Sequence, residues 1–354
     1  MAKLKVATTS KNKTDFNKLQ PLNDEELDSW WRTVPGARRF TGEIMAAVDE
    51  HCAIAAHIPP EDEAGLIQIL TEKIQRKYIS QIVEIFEYDG KGDIEDFADA
   101  LTAKFEPNFR RDFTKDSPLE DLAQQNSFAG YVIIIKLKNK LKWLTAAVTD
   151  FNRSNSLEGG ALIFITTEEN PPPSITRLSD FLTPYDVQFF VINLLENARL
   201  NSQQKLYTST LAAKLSKQSA LIAKNLAKTE LYNYGLDFVR TVIPKFDANI
   251  FNRAVWECQA QFLLPALEQI RTQLIEKNFL MIKRILPKTD EFGRTLEEPY
   301  DMELRHLHHY GGKFQIFQYS EWEILELAYE ARNALSHLKT IDLLPLEKIF
   351  SFVK

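Results

Sequence analysis

The sequence predicts an α/β domain with a doubly wound, mostly parallel sheet, followed by an all-helical domain. Short apolar runs of strand length alternate with segments of helical spacing over the first 200 residues, which is typical of strands joined by helical crossovers. Beyond residue 201 the strand-like runs stop and helical spacing continues almost without interruption. We therefore expect a disordered basic arm over 1–22, the α/β domain over 23–200 and the helical domain over 201–354.

The first segment is basic and lacks the features of a secretory signal. It begins MAKLKVATTSKNK, without a long apolar core or a small-residue cleavage site, so we expect an arm here. Asn23 or Asp24 then offers an N-cap for a short helix that carries Trp30 and Trp31. The two tryptophans indicate either a substantial core or an interaction surface, and the sequence leaves both readings open.

Four apolar runs predict the strands of the sheet. They are Cys52–Ile58, Gln81–Tyr88, Gly130–Leu137 and Ala161–Thr166. The third run, GYVIIIKL, is typical of a strand buried on both faces. Val187–Ile192 could form a fifth strand, although 186–195 fits a helix equally well. The pair Pro35 and Gly36 predicts a turn before the helix that leads into the first strand.

In the C-terminal half we expect long helices over 203–229 and 248–278, and a last long helix over 321–339. Another segment, 302–317, contains three histidines, namely His306, His308 and His309. No cysteine or spaced carboxylate set completes a metal-ligand pattern around them, so we expect helix-end or interface residues and no metal. Gly311 and Gly312 are then expected to stop their helix.

Composition limits the classes of function. The formal net charge of −6 and the pI near 5.7 argue against attraction of nucleic acid or anionic lipid by the whole surface, while a local basic patch stays allowed. Cys52 and Cys258 have no CxxC spacing, which favours neither a disulfide framework nor a zinc ribbon and favours a cytoplasmic location. The longest apolar run, Tyr131–Ile135, is far shorter than the about 20 residues that a membrane helix needs.

The stretch Cys52–Leu66 lies where a nucleotide-binding α/β protein keeps its phosphate cradle. A cradle needs glycines, a lysine and a serine or threonine in the pattern GxxxxGK[ST]. This chain instead has two prolines followed by three acidic residues, Pro59, Pro60, Glu61, Asp62 and Glu63. Proline has no N–H group to donate, and the carboxylates repel phosphate, so we expect no nucleotide cofactor.

The order of elements resembles the inactive members of the STAND class of P-loop ATPases. The similarity consists of the Trp-Trp and Pro-Gly segments before a helix, a first strand without a phosphate cradle, alternating strands and then helices. In active members the strand matching Tyr131–Leu137 ends in an acid that positions Mg²⁺, whereas this run contains Lys136 and is followed by Lys138. The resemblance implies a non-catalytic adaptor or sensor in a prokaryotic antiviral or signalling system. Its partners would be proteins encoded nearby, and a homo-oligomer is allowed.

A second, shorter resemblance lies near the end of the chain. Residues 332–337 read RNALSH, which is similar to the Arg-x4-His signature of HEPN ribonucleases. The resemblance implies a metal-independent ribonuclease in which His337 is the general acid/base, Arg332 stabilises the charge on phosphate and Asn333 orients it. The alternative is that these residues form a surface pair or a set of hydrogen bonds that stabilises a helical bundle.

Lysines alternate along one short segment of the α/β domain. They are Lys136, Lys138, Lys140 and Lys142, and Trp143 follows them. Such a run binds phosphate in some proteins and is a solvated face in others. In an acidic chain we favour the solvated face, so nucleic acid is an allowed but disfavoured partner. The helix over 205–228, which carries five lysines, has the same two interpretations.

Overall fold

The computed structural model describes residues 19–89, 91–112, 117–139, 142–154, 156, 159–168 and 170–353. The chain divides into two compact units. The first runs to Leu194 and also includes Ser216–Ala227 and Thr241–Ile243. The second comprises the segments Leu195–Leu215, Lys228–Arg240 and Pro244–Lys354. Residues 1–18 of the expected arm, and Lys140 of the lysine run, lie outside the described residues.

Helices make up most of both units. Up to residue 194 they are α1 (Asp24–Asp28), α2 (Pro35–Asp49), α3 (Glu63–Lys77), α4 (Ile94–Phe105), α5 (Pro118–Gln124), α6 (Leu144–Ser154), α7 (Leu178–Phe181) and α8 (Pro184–Leu194). After it they are α9 (Ser202–Leu215), α10 (Ala220–Leu226), α11 (Thr229–Val242), α12 (Ala248–Lys277), α13 (Phe279–Ile285), α14 (Leu304–Phe314), α15 (Tyr319–Ser336) and α16 (Leu343–Phe352). Among the described residues, no helix combines the length and the apolar character needed to cross a bilayer.

The first unit is built on a five-stranded parallel sheet. Its strands are β1 (Ala53–His57), β2 (Ile82–Tyr88), β3 (Tyr131–Leu137), β4 (Ala161–Thr166) and β5 (Thr176–Arg177), in the order β2-β3-β4-β1-β5. The predicted fold class, a parallel α/β sheet followed by helices, is therefore confirmed. The fifth strand is only two residues long, and the segment 187–192 lies within helix α8.

The sheet is covered on both faces, which explains why its central strands read as continuous apolar runs. Ile133 and Phe164 point to the face where α4, α5 and α6 pack. Ile134 and Ile163, one residue along each strand, point to the opposite face. There α2 contacts β1 and β4, and α3 contacts β2. All four side chains are fully buried.

The segment before the sheet belongs to the core. Trp30 and Trp31 lie in a π-helical turn, Ser29–Thr33, and both side chains are 0% exposed. The Trp30 ring makes an edge contact with Phe190, with centroids 5.0 Å apart. Of the two readings open for these tryptophans, the structure therefore shows the core, and they offer no interaction surface in this conformation.

One expected turn and one expected helix end both lie inside helices. Pro35 is the first residue of α2, a position that suits proline because its missing N–H has no helical partner there. Gly311 and Gly312 lie inside α14, which continues to Phe314 and ends at Gln315 in the left-handed conformation. The expectation that these glycines stop the helix is wrong. The Trp322 ring of α15 packs against them, and a β-carbon on Gly312 would lie 3.0 Å from it.

The second unit consists of helices and one two-stranded hairpin, β6 (Lys288–Thr289) with β7 (Thr295–Leu296). The 30-residue helix α12 is its centre and contacts α9, α15 and α16. The single helix expected over 203–229 is interrupted, because Lys217 and Gln218 both have positive φ. That break separates α9 from α10, and α10 belongs to the sheet unit.

Candidate functional site

The topology of the sheet indicates where a ligand site would lie. From β1 the chain crosses to β2 at the far edge, whereas from β4 it passes in the opposite direction, beyond β1, to β5. In open α/β sheets, ligands bind outside the carboxyl ends of the two strands where the direction reverses. In this chain those strands are β1 and β4.

A cavity of about 460 Å³ is present at that point of the first unit. Its lining comes from the loop after β1, the loop after β4, the start of α7, and the segment between α9 and α10. The lining residues include Pro59, Pro60, Glu61, Thr167, Glu168, Ser179, Lys217 and Ser219. Sequence reasoning found the first loop but gave no sign that 216–219 would meet it, because the break between α9 and α10 was not expected.

The loop after β1 has few N–H groups to offer a phosphate. Pro59 and Pro60 have none, and three further N–H groups donate to main-chain oxygens. The N–H of Ile58 donates to Thr166 O at 3.2 Å, that of Asp62 to Pro59 O at 3.0 Å, and that of Glu63 to Pro60 O. Since a cradle is a nest of converging N–H groups, this loop does not form one.

The Asp62 carboxylate is buried in the protein. It is 3% exposed and accepts hydrogen bonds from the N–H groups of Ala220 (2.8 Å) and Leu221 (3.0 Å) and from the Ser219 hydroxyl (3.3 Å). Burial raises the pKa of Asp62 to about 6, against the opposing effect of these hydrogen bonds. The side chain therefore anchors the start of α10 to the loop after β1.

Lys136 is the last residue but one of β3, and neither of the two residues that follow it, Leu137 and Lys138, is an acid. The Lys136 ammonium lies 3.7 Å from Glu63 Oε2 and 3.1 Å from Glu87 Oε1. The hydrogen bond to Glu87 raises the pKa of Lys136, so the lysine stays charged. A cation at this position repels Mg²⁺, and it neutralises the acidic start of α3.

His57 closes β1 on the cavity side. Its Nε2 lies 2.8 Å from Glu168 O, and burial lowers its pKa. A neutral imidazole whose Nε2 is held by a carbonyl is a structural link between the ends of β1 and β4. In the part of the chain that the structure describes, no group of three histidine, cysteine or acidic side chains is arranged to hold a metal ion.

The three residues of the ribonuclease-like signature lie at the end of α15. Arg332 and His337 are exposed, and Asn333 is half-buried. Arg332 borders a cavity of about 400 Å³ with Arg271 and Arg294. His337 caps the helix and donates its N–H to Asn333 O at 3.2 Å. Because five residues turn a helix by about 140° beyond one full turn, the Arg332 and His337 side chains of one chain point apart.

Two lysines of the run, Lys136 and Lys138, are held in ion pairs. Glu87 pairs with Lys138 at 2.8 Å as well as with Lys136. Lys142 is exposed. In the helical segment that follows the sheet, Lys214 pairs with Glu257 at 2.9 Å and Lys224 with Glu26 at 2.5 Å. These pairs favour the interpretation of both lysine segments as solvated faces.

The histidines of α14 have structural contacts. His306 is buried, accepts the Glu303 N–H at Nδ1 (3.1 Å), and has its Nε2 3.4 Å from Asp290 Oδ2. His308 stacks on Tyr329, with centroids 4.4 Å apart. His309 is exposed. These contacts hold α14 to the hairpin and to α15.

Comparisons with known proteins assign no family to the chain. No family model matches it, and no curated protein matches it. Among solved structures, the chain is similar to one in a structure of Drosophila ORC bound to DNA. The identity is 11% and the TM-score 0.37, over 98% of this chain and 96% of that chain. A likeness of that size carries no argument about function.

Proposed function

We propose that this chain is a non-catalytic adaptor or sensor, whose α/β unit keeps a P-loop-like sheet without a nucleotide site. The Lys136–Glu63 ion pair is the observation that carries the proposal. It joins the end of β3 to the start of α3. Mg²⁺ would need an acid at the first of these positions, and phosphate would need free N–H groups at the second. An ion pair between those two positions supports a scaffold and opposes phosphoryl transfer.

The partners we propose are proteins, encoded near this chain in a prokaryotic antiviral or signalling system. An adaptor that has no cofactor acts by binding other molecules, so the activity that we propose is binding to another protein. The resemblance to inactive STAND proteins supports this setting, and the two prolines of the loop after β1, which have no N–H group to donate, agree with it.

Calorimetry tests the loss of the nucleotide site. We expect no heat of binding with Mg²⁺-ATP or Mg²⁺-ADP and no phosphate release above the buffer rate. The variant Lys136→Ala, which removes the cation from the site, serves as a matched comparison and is expected to stay inert because the loop prolines remain. A micromolar affinity of the parent chain for Mg²⁺-ATP would contradict the proposal. Co-expression with each neighbouring gene product, followed by size-exclusion chromatography, tests the adaptor role directly.

A metal-independent ribonuclease is the second candidate, and the exposure of both Arg332 and His337 favours it. Because the two side chains point apart on one helix, a composite site would need two copies of the chain. This candidate predicts a dimer in sedimentation and cleavage of single-stranded RNA that His337→Ala abolishes. His309→Ala is the matched control, since His309 is an exposed histidine of another helix. If the parent and His337→Ala are equally inert, the ribonuclease candidate fails.

A further inference from the structure

A cavity of about 660 Å³ lies in the second unit, beside the end of α15. One wall is the first half of α12, with Asn252, Arg253 and Trp256, and the other is the segment that follows α15, with Leu338, Lys339 and Thr340. Trp256 is half-buried and Leu338 is 72% exposed. The cavity therefore has an apolar floor that opens to solvent at Leu338.

Leu338 has a backbone conformation that leucine rarely adopts. Its φ is +56°, in the left-handed region, where a β-carbon is strained and glycine is the usual residue after a helix. The local hydrogen bonds require this conformation, because Leu338 N–H donates to Leu335 O (3.1 Å) and Lys339 N–H to Ala334 O (2.9 Å). A leucine that is both strained and exposed gains nothing for folding, which points to a role for its side chain in binding.

The segment that carries Leu338 is held firmly. The amide of Gln259, which is 2% exposed, makes two hydrogen bonds of 2.8 Å to the main chain of Ile341, one in each direction. The Trp256 indole N–H donates to Leu335 O at 3.0 Å. Both side chains come from α12, so the two walls of the cavity are fixed to each other. A preformed site loses little conformational entropy when it binds a partner.

The rim of the cavity is basic in a chain whose net charge is −6. Lys339 and Arg253 stand on opposite walls. The carboxylate nearest to Arg253, that of Glu257 at 3.1 Å, is shared with Lys214 at 2.9 Å. One carboxylate thus serves two cations, and the local balance of charge is positive. An anionic partner fits this rim by charge complementarity.

We propose that this cavity, which we name the Leu338 cleft after its lining residues Asn252, Arg253, Trp256, Leu338, Lys339 and Thr340, docks an acidic segment of a partner protein. An aliphatic or aromatic side chain of that segment packs between Trp256 and Leu338, and its flanking carboxylates pair with Arg253 and Lys339. This inference rests on the proposed adaptor function and adds the surface and the partner chemistry to it. RNA fits less well, because the one aromatic ring among these six lining residues, that of Trp256, is half-buried, and Leu338 beside it offers no second ring for a base.

The experiment selects ligands for the full-length chain from a displayed library of random 12-residue peptides, and measures the selected peptides by fluorescence anisotropy. We expect enrichment of peptides with Asp or Glu on both sides of one large apolar residue. Leu338→Gly and Leu338→Asn should weaken their binding at least tenfold, since both residues tolerate positive φ but lack the apolar side chain. Lys339→Glu, which replaces a cation of the rim by an anion, should weaken peptide binding more than either Leu338 variant does. Leu280→Ala is the control, because Leu280 is another leucine, 71% exposed, on α13.

Several outcomes overturn the docking proposal. Examples are a selection without acidic peptides, equal binding by the parent and Leu338→Gly, and a dimer in sedimentation that Leu338→Gly dissociates, which would place a second copy of the chain in the cleft. Tighter binding of single-stranded RNA than of any peptide, lost in Lys339→Glu, also overturns it. None of these results bears on the nucleotide site. Binding of Mg²⁺-ATP, by contrast, contradicts the proposed function and leaves a peptide result standing, so the two failures are distinguishable.

Discussion

The Asp62 carboxylate lies 2.8 Å from the N–H of Ala220, across 158 residues of sequence. It joins the loop that follows the first strand to the first turn of α10. A carboxylate at the N-terminus of a helix is electrostatically favourable and satisfies donors that the helix leaves unpaired. In this chain the protein's own side chain takes a position that suits an anion.

Replacement of Asp62 by alanine is expected to lower the free energy of unfolding by about 2 kcal/mol, because buried donors at the start of α10 lose their acceptor. Urea unfolding of the two proteins at pH 7.5 measures the difference. Glu61→Ala is the matched control, since Glu61 is the neighbouring carboxylate and is exposed. Its effect should stay within about 0.5 kcal/mol. Equal stability of Asp62→Ala and the parent would show that the three hydrogen bonds contribute nothing.

The same carboxylate should make stability depend on pH. Its pKa of about 6 in the folded chain lies above the ordinary 3.8, so the folded state binds a proton that the unfolded state releases between these values. The part of the stability that comes from binding this proton is complete below about pH 3.8 and is lost as the pH rises through about 6, and it adds to the contribution of the hydrogen bonds. We therefore expect the difference in unfolding free energy between the parent and Asp62→Ala to be larger at pH 4.5 than at pH 7.5. The opposite trend would contradict the raised pKa.

Two glycines of α2 should respond to alanine with opposite signs. A β-carbon on Gly36 would lie 2.6 Å from Phe181 O, and its N–H already donates to Asp186 Oδ1 at 3.0 Å, so Gly36→Ala should cost about 1–3 kcal/mol. Gly42 has nothing within 4 Å of that position, and Gly42→Ala should stabilise by about 0.5–1 kcal/mol through helix propensity. Thermal unfolding of both variants checks the prediction. Equal shifts would refute the packing argument at Gly36.

The ion pairs of Glu87 are accessible to NMR titration. The hydrogen bonds from Lys138 and Lys136 lower the pKa of the Glu87 carboxyl from 4.5 to about 2. Lys138→Ala should raise this pKa toward 4.5, while Lys142→Ala, at an exposed lysine of the same run, should leave it unchanged. The carboxyl carbon shift measures both. The stabilisation from this group is present above pH 4.5 and is lost as the pH falls through about 2. An unchanged pKa in Lys138→Ala would show that the pair does not persist in solution.

Leu338→Gly should increase the free energy of unfolding by about 1 kcal/mol, because glycine relieves the strain of a positive φ. Ser336→Gly, two residues earlier in the last turn of α15, should instead lower it by about 0.5 kcal/mol, since glycine has a lower helix propensity than serine. Chemical denaturation of the two variants gives the comparison. A loss of stability in Leu338→Gly would mean that the leucine side chain serves the fold.

Some elements could be predicted from local pattern because the pattern has a local cause. Residues 132–135 and 161–165 are apolar at every position, which a strand needs when helices cover both faces of its sheet. Val187 lies in a run of similar length, VQFFVI, that is apolar except for Gln188. It belongs to helix α8, since a short apolar run suits a strand and a buried helix alike. Gly311 has the sequence of a helix stop, yet it lies inside α14, and a β-carbon there would clash with the Phe317 ring, so this glycine is needed for close packing.

By itself, the sequence determined that the chain has a parallel α/β unit followed by helices, and that the loop after the first strand has no phosphate cradle. Periodicity and residue chemistry decide both, because each is a property of neighbours along the chain. The tertiary structure alone decided that Asp62 holds α10, that Lys136 pairs with Glu63, and that Leu338 stands exposed beside Trp256. The contacts of Asp62 and Lys136 join residues that are far apart in sequence. The position of Leu338 depends on such a contact with α12 and on its own backbone angle. A local sequence pattern encodes neither kind of feature.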